Sequence, residues 1–491
     1  MVLPGRTTSS RPAAGSAAPA TDGRPRRRPA GRVGSLALAV VAALALGTAA
    51  APAQAVVVLP PVPGPGLPPV PTPPIPIPPV PTPVPTPPVP TLPVPTPPVP
   101  GPVPPVPPAV SEVDARIAGA LSARATAAAF GPRFAGQVTD VATGAVVWSS
   151  GASAPLKPAS TAKLVTATAA LSVYGPQHRF TTTVRRGTSW GQLLLVGAGD
   201  PSLSGADLTV LARSTAAQLR QRGVRSARVW FDDSLFPAPS RATGWKSGYV
   251  PTDVRAVRAL VVDERHAADT SLDAARAFAS RLRAAGITVT GIGRSRAPRS
   301  APVISTVRGQ RLDAIVTKML LTSDNDHAEA LHRLVAVGTG RPATWAGAAA
   351  AQREVLAGLG VALTPRQLYD GSGLSQSARL TAAQLVDVVA TLLDPARPAL
   401  RSVATSSLPV SGLTGTLKAS TGRFTRAPSA CAAGLVHAKT GTLDDAVALA
   451  GWTTDAAGSV KAFAFVVNGR GDSITLKRRV DALAATITGC Y

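Results

Sequence analysis

The pattern of hydrophobic and polar positions changes at about residue 111. From Pro60 to Pro108 the chain repeats Pro-Val-Pro-Thr-Pro-Pro with small variations. Proline fixes φ and removes the amide donor, so neither a helix nor a central strand can form there. We therefore predict a polyproline II linker over residues 56–110, which acts as a semi-rigid spacer on the order of 150 Å long.

After residue 111 the apolar positions follow helix and strand periods. Residues 111–203 and 302–491 predict one discontinuous domain of strands and helices. Residues 204–301 alternate helical Ala/Arg/Leu stretches with short apolar strands, which predicts an inserted α/β domain. The predicted helices are Val113–Phe130, Pro158–Tyr174, Leu208–Arg222, Ser271–Ala285, Leu312–Leu321 and Ser473–Thr488. The predicted strands are a hairpin over 136–149, Phe180–Val184, Gln192–Val196, Val229–Phe231, Leu260–Val262, Ile287–Val289, Leu435–Ala438 and Lys461–Val467.

Residues 1–55 have the pattern of an export signal. Five arginines between positions 24 and 32 precede an apolar run from about Leu36 to Leu46, and Ala53-Gln-Ala55 is a candidate cleavage site. An uncleaved membrane anchor is the alternative, although the apolar segment is weakly hydrophobic and barely long enough to span a bilayer. Either reading predicts that the remaining chain works outside the cytoplasm, in the cell-wall space.

The formal net charge of the 491-residue chain is +24, carried mostly by arginine. A coding bias towards Ala, Arg, Gly and Pro is one explanation, and attraction to a polyanion is the functional one. We expect an anionic polymer of the cell envelope as the partner and no nucleic acid, because no zinc-finger spacing, RNA-binding aromatic string or basic heptad helix is present. Cys431 and Cys490 are a candidate disulfide pair in an exported chain, with two free thiols as the alternative.

Ser160-Thr-Ala-Lys163 is the first of three short motifs that together predict acyl-transfer chemistry. Residues three apart on a helix share a face, so the Lys163 amine lies within reach of the Ser160 hydroxyl. A serine needs a base to become a nucleophile, and Lys163 is our choice if burial depresses its pKa. The ordinary alternative is a capping serine followed by a surface lysine.

Ser323-Asp-Asn325 is the second motif and lies between two predicted helices. Ser323 is predicted to pass a proton between Lys163 and the leaving amine, and the Asn325 amide to bind a substrate amide. A plain helix cap is the alternative, because all three residue types cap helices well.

Lys439-Thr-Gly441 is the third motif, at the end of a predicted strand. Lys439 and Thr440 are predicted to hold a terminal carboxylate by charge-assisted hydrogen bonds, and Gly441 to let the substrate backbone approach. The backbone amides of Ser160 and Thr442 are candidates for the oxyanion hole. A strand that ends in a polar turn is the alternative. No metal or other cofactor is expected, since no zinc-binding H-E-x-x-H motif occurs.

Beyond these motifs the chain, from about Ala135 to its C-terminus, resembles the S13 family of serine D-Ala-D-Ala carboxypeptidases, the penicillin-binding protein 4 type. The matching segments are Tyr174–Phe180 after the first motif, Gly199-Asp-Pro-Ser-Leu203, Asp370-Gly-Ser-Gly-Leu-Ser375, and Leu408–Gly412 with Gly415-Thr-Leu417.

The resemblance implies a penicillin-recognising transpeptidase fold, in which helices flank an antiparallel sheet and an all-helical lobe lies beside it, with a smaller inserted α/β module. The family's insert falls between the first two motifs, where this chain has a gap of 160 residues (323 − 163). That gap is shorter than the family's full two-module insert, so we expect one module to be missing or reduced.

The resemblance also implies a serine D,D-peptidase that removes the terminal D-Ala from peptidoglycan stem peptides through an acyl-enzyme on Ser160, with β-lactams as inhibitors. Cleavage of peptide cross-links is a close variant. A catalytically inactive wall-binding or scaffold protein and a β-lactamase are the alternatives. Asp444 and Asp445, after the third motif, are either a polar turn or a site for the ammonium group of a diaminopimelate-type residue.

Overall fold

The computed structural model describes residues 111–364, 368–471 and 473–491. The predicted export signal (1–55) and linker (56–110) lie outside these residues. The helices are α1 Glu112–Arg124, α2 Ala127–Phe130, α3 Lys163–Tyr174, α4 Gly205–Gln221, α5 Tyr249–Thr252, α6 Thr270–Ala284, α7 Leu312–Thr322, α8 Asn325–Gly338, α9 Trp345–Gly358, α10 Ala382–Leu393, α11 Pro398–Ser407 and α12 Ile474–Ile487. The strands are β1 Phe134–Asp140, β2 Val146–Ser150, β3 Arg179–Arg186, β4 Gln192–Val196, β5 Ser226–Asp232, β6 Thr288–Arg294, β7 Val303–Arg311, β8 His437–Leu443, β9 Ala446–Thr454 and β10 Val460–Asn468.

The first sheet is antiparallel, with strand order β2-β1-β10-β9-β8. Both of its faces are covered, which explains why β10 is apolar along nearly its whole length. Phe463, Phe465 and Val467 face a core shared with α1 and α12. Ala462, Ala464 and Val466 alternate with them and face a core shared with α3, α7, α8 and α10. The predicted antiparallel sheet flanked by helices is confirmed.

The second sheet has the order β6-β5-β4-β3-β7 and is mixed, because β4, β5 and β6 are parallel whereas β3 pairs antiparallel with β4 and β7. Helices α4 and α6 cover one of its faces. The sheet extends beyond the predicted insert (204–301) on both sides, because β3, β4 and β7 form backbone ladders with its members. Sequence periodicity identifies a strand but not its partner, so it does not show which strands these three pair with.

Three predicted elements differ in the structure. The helix expected over Val113–Phe130 is two helices, since the Thr126 hydroxyl accepts from the Ala129 amide and starts a new one. Leu260–Val262 is a buried irregular segment rather than a strand. The two residues that flank it each make one backbone hydrogen bond and form no strand ladder. The Gly199 amide donates to the Ala259 carbonyl, and the Asp263 amide donates to the Leu203 carbonyl. The third motif lies inside β8 and not at the end of a strand.

The C-terminal segment is tied to the region before β8. Cys431 and Cys490 form a disulfide with a Cα–Cα distance of 6.2 Å. Among the helices that the structure describes, none is both long and apolar enough to cross a membrane.

Candidate active site

The first motif forms a tight turn at the start of a buried helix. Ser160 lies in a 3-10 helix, Ala159–Ala162, that runs directly into α3 at Lys163. Lys163 Nζ donates to Ser160 Oγ at 3.0 Å. The structure therefore brings the predicted nucleophile and base into direct contact.

Lys163 is fully buried, and three acceptors surround its amine. Besides Ser160, it donates to Asn325 Oδ1 at 2.7 Å and to the Ser372 carbonyl at 2.9 Å. Burial lowers the pKa of Lys163 to about 8, against an opposing effect of the Glu329 and Asp370 carboxylates. A lysine with this pKa is neutral often enough at neutral pH to accept a proton.

The third motif brings a second buried lysine to the same place. Lys439 on β8 donates to Ser323 Oγ at 2.9 Å and to the Thr440 carbonyl at 2.8 Å. Burial, and then the positive charge of Lys163, hold its pKa well below the usual value for lysine. Ser323 ends α7 in the left-handed region (φ 59°), and this turn directs the chain into α8, which begins at Asn325.

Residues from all three motifs line one open cleft of about 350 Å³. Thr440 Oγ1 lies 2.7 Å from Thr416 Oγ1 in its wall. The cleft is lined by Ser160, Ser323, Thr416, Thr421, Arg423, Thr440, Thr442, Ile474 and Lys477. The hydroxyls of Ser160 and Ser323, each in contact with a buried lysine, thus face one space that is large enough for the end of a peptide.

The contacts of Gly441 and Asn325 differ from those that their predicted roles require. A Cβ at Gly441 would lie 2.7 Å from the Pro158 carbonyl, so the glycine lets β8 pack against the turn that carries Ser160. The Asn325 amide already has protein partners at both ends, because Nδ2 donates to the Asp253 carbonyl at 2.8 Å and Oδ1 accepts from Lys163. In the structure, Asn325 orients the lysine.

Two buried carboxylates, Glu329 and Asp370, hold the loop around Ser372, and the sequence motifs predict no role for either of them. The Glu329 carboxylate accepts from the amides of Gly371 and Ser372, at 2.9 Å each. Asp370 accepts from Trp245 Nε1 and from two further amides of its own loop. Burial and the neighbouring charge of Asp370 raise the pKa of Glu329 to about 8. The available signal is the position of Glu329, one helical turn after Asn325.

Asp444 and Asp445 already pair with cations of the protein. Lys157 binds Asp445, and Lys246 binds Asp444. The idea that this pair attracts a substrate ammonium therefore loses its basis, and the polar turn explains the two residues.

The structure has an antiparallel sheet flanked by helices, and a serine–lysine pair lies on the helical turn beside the edge strand β8. This arrangement is typical of a class of serine acyl-transfer enzymes. A family model described as D-Ala-D-Ala carboxypeptidase 3 (S13) matches residues 117–266 and 247–488. The chain belongs to this family, and the expected class of enzyme, a serine-type D-Ala-D-Ala carboxypeptidase, is confirmed.

Named relatives agree with the family assignment. A carboxypeptidase DacB from Mycolicibacterium smegmatis is 34% identical over 376 residues, which cover 72% of this chain and 80% of the relative. A D-alanyl-D-alanine carboxypeptidase from Actinomadura sp. is 30% identical over 441 residues, or 71% of this chain and 80% of that relative. The structure is also similar to penicillin binding protein 4 (dacB) from Haemophilus influenzae, with a TM-score of 0.64 and 20% identity over 73% of this chain and 98% of that one.

Proposed function

We propose that the protein removes the terminal D-Ala from peptidoglycan stem peptides through an acyl-enzyme on Ser160, outside the cytoplasm. The contact between Lys163 Nζ and Ser160 Oγ at 3.0 Å carries the proposal. It joins a nucleophile to a base whose pKa of about 8 suits proton transfer near neutral pH.

In the first step, neutral Lys163 takes the Ser160 proton while the oxygen attacks the carbonyl carbon of the penultimate D-Ala. The backbone amides of Ser160 and Thr442 stabilise the oxyanion. Ser323 relays the proton to the leaving amine, the C–N bond breaks, and D-Ala departs. Lys439 and Thr440 hold the carboxylate of that D-Ala during attack. Water then hydrolyses the ester and restores the Ser160 hydroxyl.

A β-lactam presents a strained amide and a carboxylate at similar positions, so we propose that it acylates Ser160. A solved structure of the Haemophilus influenzae protein is described as a complex with a β-lactam. Its likeness to this chain, with a TM-score of 0.58, supports the shared fold.

The test measures D-Ala release from a soluble pentapeptide that ends in D-Ala-D-Ala, together with labelling by a fluorescent penicillin. We expect the wild-type chain to do both and Ser160→Ala to do neither. Ser189→Ala, an exposed serine of a β3–β4 turn, is the matched control and should behave as wild type. Labelling of the Ser160→Ala variant would contradict the proposed nucleophile.

The same assay separates the alternatives. A wild-type chain that takes no label is the inactive scaffold, and an adduct that turns over within seconds indicates a β-lactamase. A cross-linked peptide dimer as a second substrate tests the endopeptidase variant.

A further inference from the structure

The second sheet has one open face with a cleft on it. Leu193, Leu195 and Phe231 point into the core under α4 and α6. Leu194 and Trp230 are paired in register and, by the alternation of strands, lie on the opposite face. Between this face and segment 295–302 lies a cleft of about 490 Å³, which we call the arginine cleft.

The wall of the arginine cleft is held in place by backbone hydrogen bonds. The Arg186 amide donates to the Pro302 carbonyl at 2.8 Å, and the Ser295 amide to the Phe231 carbonyl at 3.0 Å. The Ala297 amide donates to Asp232 Oδ2 at 2.8 Å. The cleft is therefore preformed, as small-ligand sites usually are, and its volume lies within their normal range.

The charge of this cleft is positive and is not neutralised by the protein. Arg296 lines it, as does Arg186 from the edge of the sheet, where it pairs with Leu193 and stacks on Trp190, and no carboxylate lines it. Among the described residues, Arg186 and Arg296 make no ion pair, nor do Arg222 and Arg228 beside them. In contrast, Arg294 of the same sheet pairs with two aspartates.

Tryptophan rings hold several of these arginines. The guanidinium of Arg222 lies 3.8 Å and that of Arg186 5.3 Å from the centre of the Trp190 ring. Arg228 lies 4.6 Å from the centre of the Trp230 ring. Arg222 also donates to the Gln218 carbonyl at 2.9 Å, whereas the guanidinium groups of Arg186 and Arg228 make no hydrogen bond among the described residues. Stacking restricts these side chains, so less entropy is lost when an anion binds.

A second cleft of about 480 Å³ continues the first one, because Arg296 lines both. Arg185 and Arg299 add two cations there that have no ion pair within the described part of the chain. Its carboxylate, Asp232, is occupied by two backbone amides. Two adjacent cationic clefts suit a chain with repeated negative charges better than a single small anion.

We propose that these two clefts bind an anionic cell-wall polysaccharide, a polyhydroxylated chain that carries phosphodiester or carboxylate groups. The arginine guanidinium groups bind the anionic groups, and hydroxyls such as those of Thr188 and Ser300 form hydrogen bonds with the hydroxyls of the polymer. The choice of a wall polymer over nucleic acid rests on the proposed function. The consequence is an enzyme that stays on the wall while its active site works on stem peptides.

The test measures the Kd of the full chain for two purified polymers, a poly(glycerol phosphate) teichoic acid and polygalacturonate, at 50 and 300 mM salt. The two polymers separate the phosphodiester from the carboxylate source. We expect Arg186→Gln/Arg296→Gln to raise the Kd at least about tenfold for the preferred polymer. The matched control is Arg213→Gln/Arg276→Gln, which removes the same charge from exposed positions of α4 and α6. It should change the Kd less than about twofold.

Several results would overturn the proposal. The first is an equal rise in Kd for Arg186→Gln/Arg296→Gln and for its control, Arg213→Gln/Arg276→Gln. The second is binding of neutral dextran as tight as that of the charged polymers. The third is tighter binding of single-stranded DNA that the cleft variant weakens to the same extent. Misfolding of Arg186→Gln/Arg296→Gln is controlled by a thermal melt and by a second double variant, Arg222→Gln/Arg228→Gln. Release of D-Ala from a soluble pentapeptide should be unchanged in all variants. Polymer binding without D-Ala release by the wild type would refute the proposed function and leave this inference standing.

Discussion

The active-site cleft and the arginine cleft both rely on cations, but they place them in opposite environments. Lys163 and Lys439 are fully buried, whereas Arg296 is exposed and Arg186 partly exposed. Burial removes water from an ammonium group and favours its neutral form. An arginine keeps its charge in either setting. The first region can therefore move protons, while the second can only attract anions.

The residue types fit this division. The chain has few lysines among its 50 basic residues, yet the two buried cations that contact Ser160 and Ser323 are lysines, and the two cations that line the arginine cleft are arginines. A general coding bias towards arginine does not account for the two buried lysines. Their chemistry does, because a buried lysine can lose its proton near neutral pH and an arginine cannot.

The strongest test of this difference is a variant that replaces the buried base with an arginine. Lys163→Arg keeps the charge but removes the base, so we predict a fall in the acylation rate of roughly 10²–10⁴-fold. The rate is measured with a fluorescent penicillin. Lys318→Arg, at a partly exposed position paired with Glu264, is the control and should leave the rate unchanged. A Lys163→Arg variant that keeps more than a tenth of the rate would show that another group is the base.

The pH dependence of acylation gives the next largest effect. Burial lowers the pKa of Lys163 from 10.5 to about 8, so the neutral base is the minor form at pH 6 and the major form above pH 8. We predict that the second-order acylation rate rises about tenfold per pH unit below pH 8 and levels off above it. Polymer binding by the arginine cleft should change little across the same range. A flat acylation profile from pH 6 to 8 would contradict the assignment of Lys163.

Much of the active site could be predicted from short segments of sequence. The three-residue spacing of Ser160 and Lys163 placed both on one turn, and the first and third motifs supplied the two buried lysines. The resemblance to the S13 family supplied the fold. Helix and strand periods located most of the elements, since a period depends only on neighbouring residues.

The remainder depended on contacts between distant parts of the chain. Gly441 is needed because of Pro158, and Glu329 because of a loop that begins at Asp370. The strand order of the second sheet and the cleft on its open face depend on pairing, which no local pattern encodes. The distinction between a buried and an exposed cation is of the same kind, because burial follows from the tertiary fold.

The smallest predicted effect tests whether Glu329 tunes the buried lysine. Burial lowers the pKa of Lys163, and the charge of Glu329 opposes that effect. Glu329 carries its charge mainly near and above its own pKa of about 8, and Glu329→Gln removes that charge, so the upper part of the rising limb and its midpoint should move to lower pH. The plateau rate should also fall several-fold, because a glutamine offers one acceptor oxygen to the two amides of Gly371 and Ser372.

The control for this variant is Glu354→Gln, an exposed glutamate of α9 that pairs with Arg341. It should leave both the midpoint and the plateau of the profile unchanged. A purely structural role for Glu329 would lower the plateau without moving the midpoint, whereas an electrostatic role requires that the midpoint move. If the midpoint moves to higher pH, Glu329 does not stabilise the charged lysine, and the loop rather than the carboxylate sets the pKa of Lys163.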